Sequence, residues 1–470
     1  MTIEWWGIIP FAVMLLSIAI LPLIPATAHL WERPRNQLIL ALVLGVPVAL
    51  WFILGGDPTR VVHALVEYVQ FIALLFALFV VSGGIYLKGD LAARPTTNLA
   101  FLAIGGVLAS FIGTTGAAML LIRPILNTNA ARRYKAHTVI FTILVVANCG
   151  GLLTPLGDPP LFLGFLRGVP FTWTFHLFPE WLFVNICLLA TYYLLDSRMY
   201  AREDVKDLAR DETTKEPLGL EGKLNFVWFG MVIFAVALVP SLDLHAIEAG
   251  GAGFMAYVPL REIVMVSAAA LSYFTTQREI RFGKNEFTWA PIQEVAALFI
   301  GIFLTMMPAL EYLAKVAPSL PLNKVTFFIF GGGLSAVLDN APTYVTFFEM
   351  AAQLPGDPRI GAVGGAPGVP EAYLIAISLG SVFAGAITYI GNGPNFMVKA
   401  VAEKGGVPMP SFGGYMVWTF RYLVPILTGM VMIFIVGGLM WSAIGVVIAL
   451  ISIAATALAG KDSQKKPVAA

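Results

Sequence analysis

Of the 470 residues, 58% are hydrophobic and only 12% are charged. A water-soluble domain carries about a quarter charged residues, so the composition excludes an ordinary soluble chain and makes the lipid bilayer its solvent and main partner. The formal net charge of +1 offers no basic field to nucleic acid, and no Lys/Arg run stands beside aromatic residues that would stack bases.

Apolar stretches recur along the chain, among them residues 5–25, 37–55, 71–87 and 415–438, and a crossing helix needs about 20 such residues. The opening Met-Thr-Ile-Glu-Trp-Trp has an acidic residue and no basic stretch ahead of its apolar run. It reads as a retained first helix anchored by Trp5 and Trp6 rather than as a cleavable signal. Residues 97–126 hold two apolar runs of about 12 residues joined through Ser110 to Gly116, too short for two crossings, and a re-entrant hairpin is predicted there. A helix broken by Gly and Pro follows over 136–168. The charged stretch 196–223 divides the chain and reads as a solvated linker. In the second half, 224–438, a polar segment holds Arg278, Arg281 and Lys284, a second hairpin is predicted at 323–353, and a second broken helix at 371–403. Residues 439–470 form an extra helix and tail. Cys149 and Cys187 lie in apolar runs without zinc-ligand spacing and imply no disulfide framework.

The halves 1–195 and 224–438 repeat one another. Gln70 to Phe76 matches Gln293 to Phe299, and Gly106 to Thr115 matches Gly331 to Asn340 with Ser110 and Ser335 in register. Gly151-Leu-Leu-Thr-Pro-Leu-Gly-Asp-Pro-Pro160 matches Gly385-Ala-Ile-Thr-Tyr-Ile-Gly-Asn-Gly-Pro394. The loop after the first hairpin holds Arg132, Arg133 and Lys135, whereas its counterpart holds only Arg359, so equivalent loops face opposite sides and the repeats are inverted. With Arg33, Arg35, Lys88 and the tail residues Lys461, Lys465 and Lys466 inside, the fold class is an all-α polytopic membrane protein of about 11 spans. Its N-terminus lies outside and its C-terminus in the cytoplasm of a bacterial inner membrane.

Irregular backbone at membrane depth is tolerated only where it is buried in protein or lines a cavity, so the breaks are the candidate site. Half-helix ends, hydroxyls and amides supply the hard oxygens an alkali cation accepts. Asp158 and Asp339 sit at such breaks, and a carboxylate at membrane depth is functional by default and exchanges a proton for a cation. The alternative for either is a helix cap. Cation and proton binding is therefore assigned to Asp158, Asp339, Asn340, Thr154, Thr388 and Asn392, with Thr114, Thr115 and Thr343 at the hairpin tips facing substrate. Glu294, near the start of an apolar helix, is an interfacial residue or a helper that positions a hairpin. Arg123, Arg167 and Lys399 are expected to snorkel to headgroups. The five histidines, His29, His63, His137, His176 and His245, lack ligand spacing and are expected at interfaces. No His-Glu-x-x-His or Gly-x-Ser-x-Gly motif offers a catalytic reading.

At these residues the sequence resembles the ion transporter superfamily, in the branch of NhaD-type sodium/proton antiporters, arsenite permeases and citrate transporters of the CitMHS type. Gly150-Gly-Leu-Leu-Thr-Pro-Leu-Gly-Asp158 is similar to the antiporters' Gly-Gly-x-x-(Ser/Thr)-Pro-x-Gly-Asp stretch, and Ser335-Ala-Val-Leu-Asp-Asn-Ala-Pro-Thr343 to their Ser-x-x-x-Asp-Asn-x-Pro hairpin tip. The resemblance implies an elevator-like or rocking homodimer with a scaffold and a transport domain. Thr114-Thr115-Gly116 stands where dicarboxylate/sodium symporters carry Ser-Asn-Thr, which weakens a dicarboxylate assignment. The expectation is a secondary transporter, without cofactor, exchanging Na+ or Li+ for H+. The alternative is cation-coupled transport of citrate or another carboxylate or oxyanion.

Overall fold

The computed structural model describes residues 3–22, 24–31, 33–204, 216–248, 250, 253–361 and 368–458. The central part of the charged linker, 205–215, and the tail lysines lie outside the described residues. Among the described residues seven helices are long and apolar enough to cross a membrane by length and composition, including Pro34–Leu54, Pro58–Ser82, Pro95–Ile112 and Ala290–Ser319. Among the described residues sheet is confined to two short strand pairs. The chain is an all-α polytopic membrane protein.

The helix Pro34–Leu54 shows why. Ile39, Val43, Val46 and Leu50 form one exposed stripe, each at least 41% accessible, while Ala41, Gly45, Val48 and Phe52 turn inward. Both stripes follow the helical period, and the exposed one is made wholly of branched apolar side chains, which suits lipid rather than water.

The chain divides into two compact units that interleave in sequence. One comprises Met1–Tyr86, Pro159–Phe171 and Gly222–Ser381; the other comprises Leu87–Asp158, Thr172–Glu221 and Val382–Ala470. In the first unit Pro34–Leu54 lies against Ala290–Val316. Small residues permit the approach, because a Cβ on Gly301 would stand 2.8 Å from the Cα of Ala41 and one on Gly45 3.0 Å from Leu304. Phe71 and Phe299 stack beside this seam with centroids 4.8 Å apart. The helices Lys324–Ser335 and Asn340–Ala352 form the second hairpin, with Phe327 edge-on to Phe347. Asn323 closes a capping box at its start, accepting from the backbone of Val325 and Thr326.

The second unit contains the first hairpin, Pro95–Ile112 and Thr114–Thr128, which turns at Gly113 with φ +82°. That conformation is accessible to glycine and strained for other residues. The arms are longer than the sequence suggested, 18 and 15 residues. Helix runs from Pro95 without interruption past Ser110, whose hydroxyl is bonded outside its own helix, so it does not compete with the helical ladder.

Several charged groups are buried against partners. Arg132, in the loop after the first hairpin as expected, is buried there and pairs with Asp196 at 2.7 Å. His137, expected at an interface, is buried and bonded to the same carboxylate at 2.8 Å. Asp196 itself belongs to the helix Phe178–Tyr200 rather than to a solvated linker, and Asn98 completes its surroundings at 3.0 Å. Arg167 does not snorkel: it bridges Glu67 at 2.8 Å and Glu349 at 3.1 Å, joining three segments of the first unit. Arg281 is likewise buried, donating to the carbonyls of Val80 and Ser272 at 2.5 and 3.1 Å. In each case a buried charge meets fixed polar or oppositely charged partners, as desolvation requires.

The glycine seam yields a direct test. Gly301→Leu should destabilise the first unit by about 1–3 kcal/mol through overpacking, read as a fall in the thermal unfolding midpoint of the detergent-purified protein. Gly230→Leu, at a site where a Cβ meets nothing within 4 Å, serves as the control.

Candidate functional site

The first broken helix begins as Ala136–Phe141, passes through wide and tight helical turns, becomes irregular at 153–158 and resumes as Pro159–Leu166. The second runs as Glu371–Ala384, breaks over 385–392 and resumes as Gly393–Lys404. The breaks share a local detail: the backbone N–H of Leu156 donates to Thr154 Oγ1, and that of Ile390 to Thr388 Oγ1, both at 3.2 Å. Each threonine thus uses its hydroxyl to hold the turn two residues on.

The tip of the first hairpin is stitched to the first break. Ser110 Oγ donates to the Gly150 carbonyl at 2.5 Å and accepts from the Leu153 N–H at 3.0 Å. Thr154 Oγ1 donates to the Ser110 carbonyl, and the Thr114 N–H donates to the Gly157 carbonyl at 2.8 Å. Gly151 and Gly157 let these strands of chain meet, since a Cβ on Gly157 would stand 2.2 Å from the Gly151 carbonyl oxygen.

Asp158 is 1% exposed, and its Oδ1 accepts from Thr114 Oγ1 at 3.1 Å and from Asn392 Nδ2 at 3.2 Å. Thr114 opens one helix and Asn392 is the N-cap residue of another. The positive ends of two helix dipoles therefore flank the carboxylate and favour negative charge there. Asn392 makes no side-chain cap bond to its own helix; its amide is turned to Asp158 instead.

Two residues that sequence reasoning missed fix that orientation. Asn395 donates through Nδ2 to the carbonyls of Gly385 and Thr388 at 2.8 and 2.9 Å, so its Oδ1 must face the other way. That oxygen accepts from Asn148 Nδ2 at 2.6 Å, which leaves Asn148 Oδ1 to accept from Asn392 Nδ2 at 3.1 Å. The amides thus donate in sequence from Asn392 through Asn148 and Asn395 to the two backbone carbonyls, and Asn392 Nδ2, with its orientation so fixed, also donates to Asp158. Asn148 carried a partial signal as a lone amide in an apolar run beside a break, and Asn395 as a second amide just after Asn392 in the other, since burying an amide without partners is costly.

Of the residues assigned from sequence, Asp158, Thr114, Asn392, Thr154 and Thr388 lie in this unit and are buried. Thr115 is half-buried and takes no part in the bonds around Asp158. Asp339, Asn340, Thr343 and Glu294 lie in the other unit. There Asp339 caps Asn340–Ala352, its Oδ1 accepting from the Ala341 N–H at 2.9 Å, and Thr343 Oγ1 donates to the Asp339 carbonyl at 3.0 Å. Ser335, in register with Ser110, donates to the Ser381 carbonyl at 2.6 Å. Glu294 accepts from Gln37 Nε2 at 2.9 Å and so ties Ala290–Val316 to Pro34–Leu54. Lys399 lies 3.4 Å from Glu403 and over the Tyr389 ring. Among the described residues no group of three His, Cys, Asp or Glu side chains is placed to hold a metal ion.

Residues 1–435 match the model of a family described as "Putative citrate transport". The chain belongs to that family. It is similar to the uncharacterized transporter Rv2684 of Mycobacterium tuberculosis and to Mb2703 of Mycobacterium bovis, 26% identical to each over 67% of this chain and 71% of theirs. A second M. tuberculosis relative, the uncharacterized transporter Rv2685, is 23% identical over 67% of this chain and 72% of its own. The family and the apolar helices together make this a multi-pass membrane transporter of the citrate-transport type, with its buried carboxylate and amide chain lying within the matched region.

The amide chain predicts an unequal response to two near-isosteric changes. Asn395→Asp turns an acceptor toward the Gly385 and Thr388 carbonyls and should cost roughly 1–3 kcal/mol or more of stability at neutral pH. Asn395→Gln keeps the donors and should cost less. Thermal unfolding of the two variants beside the parent reads the difference.

Proposed function

We propose that this protein is a secondary active transporter working by alternating access, moving citrate or a related carboxylate together with a small cation, Na+ or Li+. The observation that carries the reading is the buried Asp158 carboxylate held between the starts of two helices by Thr114 and Asn392. One carboxylate among hydroxyls, amides and broken-helix carbonyls is a donor set for a hard monovalent cation. The same helix starts present N–H groups that suit a carboxylate once the Asp158 charge is balanced by a cation. The family description supports citrate as the solute. The two broken helices, with their like-placed threonines, support inverted repeats as the basis of alternation.

Exchange of Na+ or Li+ for H+ is the second reading. It is favoured by the same Asp158, because a buried carboxylate that accepts from Thr114 and Asn392 can trade a proton for a cation without any anion. In this reading Asp339 is the second titrating group.

Proteoliposomes separate the two. Under the first reading, labelled citrate accumulates only with an inward Na+ or Li+ gradient, and Asp158→Asn abolishes that dependence. Thr114→Val should raise the half-saturating cation concentration about tenfold or more, the worth of a hydrogen bond to a charged group. Asp339→Asn preserves the helix cap, since Asn caps as well as Asp, and so tests charge alone. It is expected to fold normally and lose cation coupling; retained coupling would confine Asp339 to capping. Proton movement driven by Na+ or Li+ without citrate would replace the first reading by the second, and neither signal in a folded, reconstituted protein would end both.

A further inference from the structure

The helix Phe178–Tyr200 and the helix Phe412–Tyr422, both in the second unit, enclose a cavity of about 330 Å³ remote in sequence from the breaks. Three guanidinium groups line it, Arg198, Arg202 and Arg421, and none of its lining residues is acidic. The rest of the lining is apolar or aromatic and includes Met199, Trp418 and Tyr422. Arg421 lies over the Tyr422 ring at 5.2 Å, and Trp418 packs against the same ring at 5.4 Å, so the aromatic pair fixes one guanidinium at the wall. Arg198 keeps its Nη2 buried without a hydrogen-bond partner among the described residues.

Arg421 belongs to the apolar span Phe412–Val436 and is exposed on it, beside Val417 and Phe420, which are 68% and 55% accessible. An exposed guanidinium on a lipid-facing helix needs either water or a phosphate within reach. Arg198 stands in the last turn of its helix, where the chain leaves the apolar span. A cavity that combines several guanidiniums with apolar walls matches an amphiphile whose head is anionic and whose tail is hydrocarbon.

The geometry points to a binding site for an anionic phospholipid, its phosphate held by Arg198, Arg202 and Arg421 and its acyl chains lying over the exposed apolar face beside Val417. The site is separate from the Asp158 cluster and does not depend on what the protein transports.

Native mass spectrometry of the full-length protein, loaded with phosphatidylglycerol or with phosphatidylcholine, tests it. The parent should retain phosphatidylglycerol in preference to phosphatidylcholine. Each Arg→Gln change should weaken retention about fivefold, and Arg198→Gln/Arg202→Gln/Arg421→Gln together roughly a hundredfold. Equal retention of the two lipids by the parent, or undiminished retention by the triple variant, would overturn the proposal. Inorganic phosphate in large excess should leave the lipid bound; its displacement would reassign the site to a soluble anion. Where the triple variant fails to fold, a photoactivatable phosphatidylglycerol on the parent should label peptides spanning 195–202 and 417–422, and labelling elsewhere would equally overturn it.

Discussion

A helix interrupted inside hydrocarbon leaves N–H and C=O groups that no water can satisfy, and each must find a partner within the protein. In the second break the carbonyls of Gly385 and Thr388 accept from Asn395, that of Ala386 from the Tyr415 hydroxyl, and that of Ile387 from Thr419. In the first, the carbonyl of Cys149 accepts from Asn185, that of Gly150 from Trp181 and Ser110, and that of Leu153 from Thr174. Much of the buried polar inventory of the second unit is committed to this task. The breaks are therefore held structures whose geometry is over-determined by side chains from neighbouring helices.

That over-determination has a chemical result. Because Asn395 must donate to two carbonyls, the amides of Asn148 and Asn392 have their orientations assigned in turn, and Asp158 receives a donor rather than an acceptor. The carboxylate thus accepts from side chains at two helix starts, and its burial disfavours a second uncompensated anion nearby. A small cation relieves that restriction. Under the proposed citrate reading, charge balance at this place is what would couple the cation to the carboxylate solute.

The buried charges away from the breaks obey the same accounting in a different currency. Asp196 gathers Arg132, His137 and Asn98 from the ends of both hairpin arms and the start of the broken helix. Arg167 joins Glu67 and Glu349 across three segments. Breaking one partner of such a pair leaves a desolvated charge, so these groups act as rigid ties between elements. Arg198 and Arg421, by contrast, are directed to a cavity without acidic lining, where an external anion would balance them.

The sequence by itself determined the class of the protein, because its apolar excess admits only a bilayer as solvent. It also determined where helices break, because Gly-Asp-Pro-Pro at 157–160 and Gly-Asn-Gly-Pro at 391–394 remove donors and relax the backbone locally. The placement of Asp158, Thr154, Thr388 and Asn392 in the breaks was legible for that reason. Asn148 and Asn395 stood out only as amides beside a break, and Trp181 and Tyr415 not at all, because nothing in local spacing says which carbonyl each will meet. Arg132 and His137 read as loop and interface residues until the helix Phe178–Tyr200 brought Asp196 against them. Local chemistry fixes what a segment cannot be; only the packing of distant segments decides which buried polar atoms face one another, since that depends on distances between helices that no single helix encodes.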